Sequence, residues 1–515
     1  MLSPKPAIFK QYLLMALVVV LIRLAFTLVF GTHSIDSALN ALLEGSKVAA
    51  WVLAFGLLNS LFDLKKLLRK TPPALRNFST ALWIALSLVP ELTVNLNRVK
   101  RAAKLRSNRR ALGRLRAILI PVLANSVDQA MNLADSMEAR GFGRKAKPLD
   151  EAIELVGVSF THNSGEEVLK NLSLEIPKSE FVVITGRTGS GKSTLLKVLQ
   201  AKYPGVAMVG QFARQSFVAD TVFDELAFAL RQQGLGSEEI SSRVLQLANK
   251  FDLAADANPL ELSAGWQQRV AIAAALATGT KVLLMDEPFS SLDKTSSDLL
   301  FKTLKEIKDD GCTVVVVEHR IHLVRALADR ILLLEDGVLT ETSGRQIALR
   351  SKADFGNVTV LVGENGSGKT TYLNQLARNG GSLVPQPASD LLFLESVSKE
   401  LQQADLDSDK PAGTATQILE TFKISLAPNQ NPRELSEGQK LILAIVIQLT
   451  RGASPIMLDE PTLGLDFEAR AALLEIIGKL AASGTEVIIA THDQEFATAL
   501  STKTVSISEL VNNAA

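Results

Sequence analysis

Two glycine-rich stretches carry the residue types that bind nucleotide phosphates. GRTGSGKS at residues 186–193 and GENGSGKT at residues 363–370 both fit the pattern G-x-x-x-x-G-K-[ST], and each follows a short apolar run. In this pattern the glycines let backbone N–H groups point at the phosphates, the lysine reaches the terminal phosphates, and the last hydroxyl ligates Mg²⁺. One match could be a turn without a ligand, but two matches, each between a strand and a helix, indicate two nucleotide sites. The predicted phosphate-binding residues are Gly186, Gly189, Gly191, Lys192, Ser193 and Thr194, and Gly363, Gly366, Gly368, Lys369, Thr370 and Thr371.

The repeat extends far beyond these two loops. Each loop is followed by LSAGW or LSEGQ, then by an apolar run that ends in Asp-Glu-Pro, and then by EHR or THD. The pairs that lie 173 positions apart are Ser263 and Ser436, Asp286 and Asp459, and His319 and His492. The two loop lysines are 177 positions apart, and Gln211 and Gln386 are 175 apart, so small insertions or deletions lie between the motifs. The chain therefore contains two copies of one whole domain.

These motifs resemble those of the ATP-binding cassette (ABC) ATPases, over roughly residues 150–510. The resemblance implies two α/β P-loop NTPase domains, at residues 150–345 and 352–510, that bind ATP and Mg²⁺. It also implies that Glu287 and Glu460 are general bases that orient the attacking water, in a reaction that depends on positioning and electrostatic stabilisation. The other implied roles are Mg²⁺ binding for Ser193, Thr370, Asp286 and Asp459, γ-phosphate sensing for Gln211 and Gln386, and transition-state stabilisation for His319 and His492.

In this family two cassettes pack head to tail, so the resemblance implies two composite sites. Each ATP would lie between the phosphate loop of one cassette and the LSxGx signature motif of the other. The first site would join Lys192, Ser193, Gln211, Glu287 and His319 with Ser436 and Gly438. The second site would join Lys369, Thr370, Gln386, Glu460 and His492 with Ser263 and Gly265.

The second site is expected to be the weaker of the two. The signature motif that faces it reads LSAGW where the family usually reads LSGGQ, with Ala264 and Trp266 at the altered positions. The first cassette also has a strand-rich segment before its loop, in which His162 occupies the place of an aromatic that stacks on adenine. The second cassette has almost no such segment. Because base stacking is worth roughly 1–3 kcal/mol, the first site is expected to bind ATP more tightly and to perform most of the turnover.

The N-terminal region differs from the rest of the chain in charge and hydropathy. Residues 1–150 contain 22 Lys and Arg against 8 Asp and Glu, whereas the remainder contains 33 against 46. The stretch at residues 11–30 has one charged residue and is long enough to cross a bilayer, and shorter apolar stretches begin at Val48 and Ala81. A signal peptide is disfavoured because no small-residue cleavage site follows, while buried amphipathic helices remain the alternative for the shorter stretches. Residues 98–116 include nine Lys or Arg and no acidic residue, which predicts a cytoplasmic position.

The end of this region is similar to the coupling region of the transmembrane T component of energy-coupling factor (ECF) importers. The strings VPEL…RVKRAAKLRS and SMEARGFG carry the resemblance, which spans roughly residues 10–145. In those importers two arginine-centred motifs dock onto the ATPases, and the matching residues here are Arg106 and Arg140. An arginine at a helix end is also ordinary helix-dipole chemistry. The basic stretch alone could bind nucleic acid or anionic lipid, but its apolar neighbours favour the membrane.

These observations predict a multidomain chain, with an all-α membrane domain at residues 1–147 followed by the two α/β ATPase domains. The expected function is the ATP-hydrolysing module of an ECF-type importer of a vitamin or metal. The expected partners are a membrane-embedded S component that captures the substrate, the lipid bilayer, and each cassette for the other, without nucleic acid. The expected location is the cell membrane, multi-pass, with the cassettes in the cytoplasm. The single cysteine, Cys312, excludes an intramolecular disulfide and suits a reducing compartment.

Two other classes of protein stay open. A soluble tandem-cassette ATPase that acts on ribosomes, or on another partner outside transport, would usually have a long charged linker between its cassettes and no apolar N-terminus. An ABC exporter subunit would usually carry a much longer membrane domain before a single cassette. The sequence names neither the substrate nor the partner.

Overall fold

The structure is a computed structural model. It describes residues 20, 43–47, 49–50, 53, 97–102, 104–106, 131, 133, 137, 148–161, 167–290, 292–343, 356–500 and 503–507. The chain divides into one unit of residues 1–90 and another of residues 91–515. In the first unit the described residues are helical and include an ion pair between Lys47 and Glu44 at 2.7 Å. The second unit contains both cassettes.

The first cassette is built on a six-stranded sheet and a two-stranded sheet. The six strands lie in the order β4-β5-β6-β3-β7-β8, in which the last pair is antiparallel and the other pairs are parallel, and β1 pairs antiparallel with β2. The strands are β1 (Ile153–Thr161), β2 (Glu167–Ile176), β3 (Phe181–Thr185), β4 (Ala207–Val209), β5 (Val282–Asp286), β6 (Thr313–Val317), β7 (Arg330–Glu335) and β8 (Val338–Glu341). The helices are α1 (Lys192–Lys202), α2 (Val222–Gln232), α3 (Ser237–Lys250), α4 (Ala264–Leu276) and α5 (Lys294–Asp309).

The second cassette repeats this plan on a smaller sheet. Its five strands are all parallel and lie in the order β10-β11-β12-β9-β13. The strands are β9 (Val358–Val362), β10 (Ser382–Val384), β11 (Ile456–Asp459), β12 (Val487–Thr491) and β13 (Lys503–Ser506). The helices are α6 (Lys369–Arg378), α7 (Val397–Asp407), α8 (Thr414–Thr421), α9 (Glu437–Thr450), α10 (Phe467–Ala482) and α11 (Gln494–Ala499).

The apolar runs form central strands because both faces of the sheet are buried. Phe181 and Val183 belong to one hydrophobic cluster, while Val182 and Ile184 belong to another, and all four side chains are inaccessible to solvent. Side chains of a strand alternate between its two faces, so strand β3 has a core on each side. A continuous apolar run, rather than an alternating one, is what a doubly covered parallel strand requires.

The parallel sheets bring the motifs to one edge of each cassette. Strands β5, β6 and β3 are neighbours, and the residues that follow their carboxyl ends include Glu287, His319 and the first phosphate loop. Strands β11, β12 and β9 have the same order and place Glu460 and His492 beside the second loop. In open α/β sheets ligands bind outside the carboxyl ends of the strands.

A short helical segment from before the first cassette packs into the second cassette. This docking segment comprises residues 97–102 and 104–106. Val99 and Ala102 are almost fully buried and belong to the main hydrophobic cluster of the second cassette, together with residues such as Leu401. The segment is therefore part of the core of the second cassette.

The predicted all-α membrane domain is wrong for the part of the chain that the structure describes. Within those residues, no helix combines the length and the apolar character that a bilayer crossing needs. The longest α-helices described, α5 and α10, have 16 residues each, whereas a crossing takes about 20 predominantly apolar residues. The predicted multi-pass location is corrected by the same finding. The apolar stretches that suggested the spans lie outside the described residues, apart from residues 20, 49–50 and 53.

Candidate nucleotide sites

The first phosphate loop places a buried cation at the start of helix α1. Lys192 is 5% exposed, and its Nζ donates hydrogen bonds to the carbonyl oxygens of Gly186 at 2.9 Å and Arg187 at 2.7 Å. Burial lowers the pKa of Lys192 below its ordinary value. Helix α1 follows Gly191, which has a φ of 97°, and no side chain caps the helix. A Cβ at Gly191 would lie 2.5 Å from Val168 Cγ1, so the loop needs a glycine there. A helix N-terminus beside a buried cation is an anion site.

The second phosphate loop repeats this geometry. Lys369 is also 5% exposed and donates to the carbonyl oxygens of Gly363 at 2.6 Å and Glu364 at 3.0 Å. Helix α6 follows Gly368, which has the same φ of 97°. The Lys369 Nζ additionally lies 3.3 Å from Glu460 Oε1. Both loops therefore have the conformation that the sequence motif requires, with the lysine held inward.

Two aspartates offer free oxygen atoms beside the loop hydroxyls. Asp286 and Asp459 each have a buried Oδ1 without a hydrogen-bond partner among the described residues. Ser193 and Thr370 bond to these two carboxylates, one in each cassette. Burial raises the pKa of both aspartates, that of Asp459 to about 6. Oxygen ligands of this kind suit Mg²⁺, and a bound divalent cation would compensate the buried carboxylates. The donor set in each cassette fits the predicted metal.

The two glutamates that were predicted to be general bases have strained backbones and histidine neighbours. Glu287 has a φ of 44° and Glu460 a φ of 47°, so both lie in the left-handed region. Residues other than glycine adopt this backbone conformation at a cost of about 1–3 kcal/mol. Glu287 Oε1 lies 3.0 Å from His319 Nε2, and Glu460 Oε2 lies 2.8 Å from His492 Nδ1. Each cassette thus assembles a carboxylate and an imidazole next to its phosphate loop.

The other partners of these carboxylates differ between the cassettes. Glu287 Oε2 accepts a hydrogen bond from Gln211 Nε2 at 3.1 Å. Glu460 Oε2 accepts one from the backbone N–H of His492 at 3.1 Å. Burial raises the pKa of Glu460, but the bond from His492 and the charges of His492 and Lys369 outweigh it, so the pKa lies below its ordinary value. A lower pKa makes this carboxylate a weaker proton acceptor.

Contacts across the cassettes show a head-to-tail pairing. The backbone N–H of Thr188, in the first phosphate loop, donates to Asp466 Oδ2 at 2.7 Å, immediately before helix α10. Arg187 pairs with Glu468 at 2.6 Å on the same helix. In the reverse direction, the N–H of Asn365 lies 3.4 Å from Asp293 Oδ2, immediately before helix α5. Each phosphate loop therefore contacts the other cassette at an equivalent helix start.

A cavity of about 410 Å³ lies between the cassettes, lined by both predicted γ-phosphate sensors, Gln211 and Gln386. Glu437 of the second signature motif and Glu460 also line it. Gly464 lies nearby, where a Cβ would approach Glu437 Cγ at 3.6 Å and Gln211 Nε2 at 3.8 Å. The loop that carries the predicted γ-phosphate sensor of each cassette, Gln211 or Gln386, is called its Q-loop. The first Q-loop therefore lies against the second signature motif. That Lys192 faces Ser436, and Lys369 faces Ser263, stays a prediction.

The two signature motifs start their helices differently. Ser436 Oγ accepts from the N–H of Gln439, and Gln439 Oε1 accepts from the N–H of Ser436, which is a complete capping box before α9. Ser263 makes no such side-chain bond before α4. The residue equivalent to Gln439 is Trp266, whose ring lies 4.9 Å from the guanidinium carbon of Arg269. An indole has no acceptor, so the box cannot form.

The docking segment ends at Arg106, the first predicted coupling arginine. Its side chain is 4% exposed and donates to the carbonyl oxygen of Leu391 at 2.8 Å and to the carboxylate of Glu400. Asp407 Oδ2 lies 3.5 Å from its Nε, and the guanidinium lies 5.4 Å from the centre of the Phe393 ring. The second predicted coupling arginine, Arg140, and the candidate adenine-stacking residue His162 lie outside the described residues.

Several interface residues were not predicted. Asp293 and Asp466 lie 173 positions apart, the spacing of the other motifs, so the repeat itself could have identified them. Asp390 pairs with Arg98 at 3.0 Å and follows the second Q-loop. That pair joins positions far apart in the chain, and the sequence contains no local signal for it.

Family models match part of each cassette, and the relatives are named as ATP-binding proteins. Residues 169–290 match the family model described as ABC transporter. Residues 372–498 match one described as "AAA domain, putative AbiEii toxin, Type IV TA system". A Streptomyces avermitilis protein named "Putative ABC transporter ATP-binding protein" is 27% identical over 68% of this chain and 91% of its own length. A protein of the same name from Treponema denticola is 25% identical over 67% of this chain and 93% of its own length.

A solved structure titled as a dimeric post-hydrolysis state of the ATP-binding cassette MJ0796, bound to ADP and Pi, is also similar. It is 30% identical, covers 38% of this chain and 99% of its own length, and has a TM-score of 0.33. The family matches and the catalytic motifs make both domains ABC ATPase domains, and the chain is accordingly an ATPase.

The resemblance to an ECF importer with a fused T component is corrected by these findings. The relatives are named as ATP-binding proteins, and no described helix is suited to cross a membrane. The physical reason is visible at the docking segment. Its helix, part of the supposed coupling region, has Val99 and Ala102 in the core of the second cassette, so an arginine at a helix end did not identify a separate domain.

Proposed function

We propose that this chain is a two-site ATPase that hydrolyses ATP between its cassettes and drives a separate partner protein. The observation that carries the proposal is the pairing of each phosphate loop with the start of a helix in the opposite cassette, seen at Thr188 with Asp466 and at Asn365 with Asp293. Such an arrangement allows ATP binding to pull the cassettes together. Closure of this kind completes a catalytic site and can be transmitted to a bound partner.

The chemistry at each site follows from the chain's own residues. The N-terminus of α1 or α6 and the loop lysine hold the phosphates, while Asp286 or Asp459 with the adjacent hydroxyl would hold Mg²⁺. The metal would neutralise charge on the phosphates. Glu287 and Glu460 orient the water and accept its proton, and the neighbouring histidine donates to developing charge.

Replacing both glutamates tests the hydrolytic part. In the Glu287→Gln, Glu460→Gln protein, phosphate release should fall on the order of 10²-fold or more because both general bases are lost. Binding of a fluorescent ATP analogue should persist, since the loops are untouched. Unchanged phosphate release would remove both glutamates from the mechanism.

The partner is proposed to belong to a transport system, because the relatives are named as ABC transporter ATP-binding proteins. Steady-state ATPase activity can be measured with added membrane vesicles from the source cells, or with purified ribosomes. Stimulation by the vesicles alone supports a transport partner. Stimulation by ribosomes alone would replace it with the alternative class. A separate membrane-embedded protein that captures a substrate stays a prediction.

The docking segment is proposed to transmit motion of the second cassette. Arg106 holds the segment to Glu400, whose Oε1 also accepts from the backbone N–H groups of Phe393 and Leu394 just after the Q-loop. Arg106 Nη2 also donates to the backbone carbonyl oxygen of Glu400 at 3.3 Å. Two nitrogens of the guanidinium therefore bind the same residue, one of them through a charge-assisted hydrogen bond, which is among the stronger kinds. The segment should therefore follow the Q-loop region as one body during the ATP cycle.

Spin-label distances test this transmission. The labels are placed at exposed positions through Lys100→Cys with Glu420→Cys in the second cassette, or with Lys305→Cys in the first, in a Cys312→Ser chain. ATP should leave the 100–420 distance unchanged and alter the 100–305 distance. Arg106→Ala should broaden the first distribution, while the exposed control Arg101→Ala should not. A broad 100–420 distribution in the parent protein would contradict the proposal.

The equivalent groove of the first cassette is proposed to hold Arg140. Glu225 lies 175 positions before Glu400 and makes the same contacts, accepting from the N–H groups of Val218 at 2.9 Å and Ala219 at 2.8 Å. The repeat therefore builds the same backbone-bound carboxylate twice. A double-mutant cycle of Arg140→Ala and Glu225→Gln, read from unfolding midpoints, should show coupling. The cycle of Arg140→Ala with Glu400→Gln should be additive, and the opposite result would assign the arginine to the other groove.

A further inference from the structure

Glu318 is a buried carboxylate that precedes the catalytic histidine of the first cassette. Its side chain is 2% exposed. Its Oε1 accepts hydrogen bonds from the backbone N–H groups of His319 at 3.0 Å and Arg320 at 2.9 Å. Its Oε2 lies 3.4 Å from the N–H of Phe289, two residues after the catalytic Glu287. One carboxylate therefore connects the turn that carries the histidine with the turn that carries the general base.

In the second cassette another group accepts from the backbone of the histidine turn. The equivalent residue is Thr491, whose hydroxyl accepts from the N–H of Asp493 at 3.0 Å. The N–H of His492 instead donates to the catalytic Glu460 at 3.1 Å. In this cassette the general base itself holds the backbone of the histidine turn. In the first cassette Glu318 does so.

This difference determines which groups the Glu287 carboxylate can bind. Glu287 accepts from the Gln211 side chain and faces the His319 ring, while the His319 backbone is held by Glu318. A residue that fixes a catalytic group by hydrogen bonds from behind keeps it in productive geometry. Without Glu318, the His319 N–H would need another acceptor. The Glu287 carboxylate could then accept from it, as the Glu460 carboxylate accepts from the N–H of His492.

We infer that Glu318 is a positioning residue of the first site. Its carboxylate holds the His319 turn against the Phe289 turn and so reserves the Glu287 carboxylate for the Gln211 side chain, the His319 ring and the attacking water. The inference rests on the proposed hydrolytic role of Glu287.

The test uses chains in which only one site turns over. Glu318→Thr, which copies the second cassette, is placed in a Glu460→Gln chain to report the first site and in a Glu287→Gln chain to report the second. In the first background kcat should fall about tenfold or more because the histidine turn is misplaced, and KM for ATP should stay within about twofold since no phosphate contact is changed. In the second background both constants should stay unchanged.

Two further variants separate positioning from folding. Glu318→Gln keeps one oxygen that can accept from His319 and Arg320 but loses the acceptor for the Phe289 N–H, so its first-site kcat should lie between those of the parent chain and Glu318→Thr. Thr491→Val, the matched control, should lower only second-site turnover. Equal losses in both backgrounds, a change in KM alone, or a Glu318→Gln protein as slow as Glu318→Thr would each overturn the inference. Failure of the Glu287→Gln, Glu460→Gln protein to lose hydrolysis would instead overturn the proposed function.

Discussion

Glu287 and Glu460 occupy the same place in the two cassettes but have different surroundings. Both follow a buried strand, have a positive φ and face a histidine. Glu460 also forms an ion pair with its loop lysine, at 3.3 Å from Lys369, and the charge of Glu287 likewise acts on Lys192. The charges and hydrogen bonds around Glu460 hold its pKa below the ordinary value. Neighbouring positive charges and hydrogen bonds stabilise the ionised form of Glu460, so the carboxylate has a lower affinity for a proton. Glu460 should therefore be the weaker general base.

Single replacements should therefore show unequal sites. Each glutamine variant should slow its own site on the order of 10²-fold, so the residual steady-state ATPase activity reports the other site. We expect Glu287→Gln to remove most of the total activity and Glu460→Gln to remove the smaller part. The comparison is made at saturating ATP. Equal losses, or a larger loss in Glu460→Gln, would show that the differences in sequence and partners do not affect turnover.

At the scale of elements, the Q-loop region of the second cassette is held by two arginines of the docking segment. Arg106 binds Glu400 on helix α7, and Arg98 pairs with Asp390 at 3.0 Å just before it. Burial raises the pKa of Asp390 to about 6, and the charges of Arg98 and Arg101 only partly oppose this. A carboxylate in this position is costly to ionise even beside its partners.

The raised pKa predicts how stability depends on pH. Because the folded value of about 6 exceeds the ordinary 3.8, folding favours the protonated form. That contribution is fully present below about pH 4 and is lost as the pH rises through 6. Asp390→Asn, which cannot ionise, should therefore stabilise the protein by about 3 kcal/mol at pH 8 and have little effect at pH 4.

Thermal unfolding midpoints at the two pH values measure this difference. The exposed carboxylate of Glu434 provides the control, and Glu434→Gln should leave the midpoint unchanged at both. A lower midpoint for Asp390→Asn at pH 8 would mean that the ion pair with Arg98 outweighs the cost of burial.

At the scale of the whole molecule, the two cassettes are joined by contacts of unequal length. Asp466 accepts from Thr188 at 2.7 Å, whereas Asp293 lies 3.4 Å from the N–H of Asn365. Both aspartates also cap the helix that follows them, through their other oxygen. The amides of Ala469 and Thr188 offset the effect of burial and hold the pKa of Asp466 below its ordinary value. The first loop is therefore held more firmly than the second.

Asparagine replacements separate the interface bond from the cap, since asparagine caps helices as well as aspartate does. Asp466→Asn should weaken ATP-analogue binding at the first site about tenfold, because a hydrogen bond to a charged acceptor contributes about 1.5–3 kcal/mol. Asp293→Asn should have a smaller effect at the second site. Binding is measured in the Glu287→Gln, Glu460→Gln chain. The exposed pair of Arg187 and Glu468 gives the control, and Glu468→Gln should change little. A larger effect of Asp293→Asn would contradict the order.

The sequence alone determined the local geometry of both phosphate loops. A phosphate loop is one strand, one turn and one helix, so its residues lie within a few positions of each other. Lys192 and Lys369 accordingly have the same buried geometry. The spacing of 173 positions determined that the catalytic halves are duplicated, and the apolar runs before Asp286 and Asp459 became buried central strands as expected.

Only the tertiary structure decided which distant segments meet. Arg106 and Glu400 are 294 positions apart, and Thr188 and Asp466 are 278 apart. No periodicity or motif relates such positions, because packing of whole domains brings them together. Composition assigned the basic N-terminal segment to a membrane domain, but Val99 and Ala102 of that segment are buried in the second cassette. The proposed role of Glu318 likewise depends on the backbone N–H of Phe289, 29 positions away, which meets the carboxylate only in the folded chain.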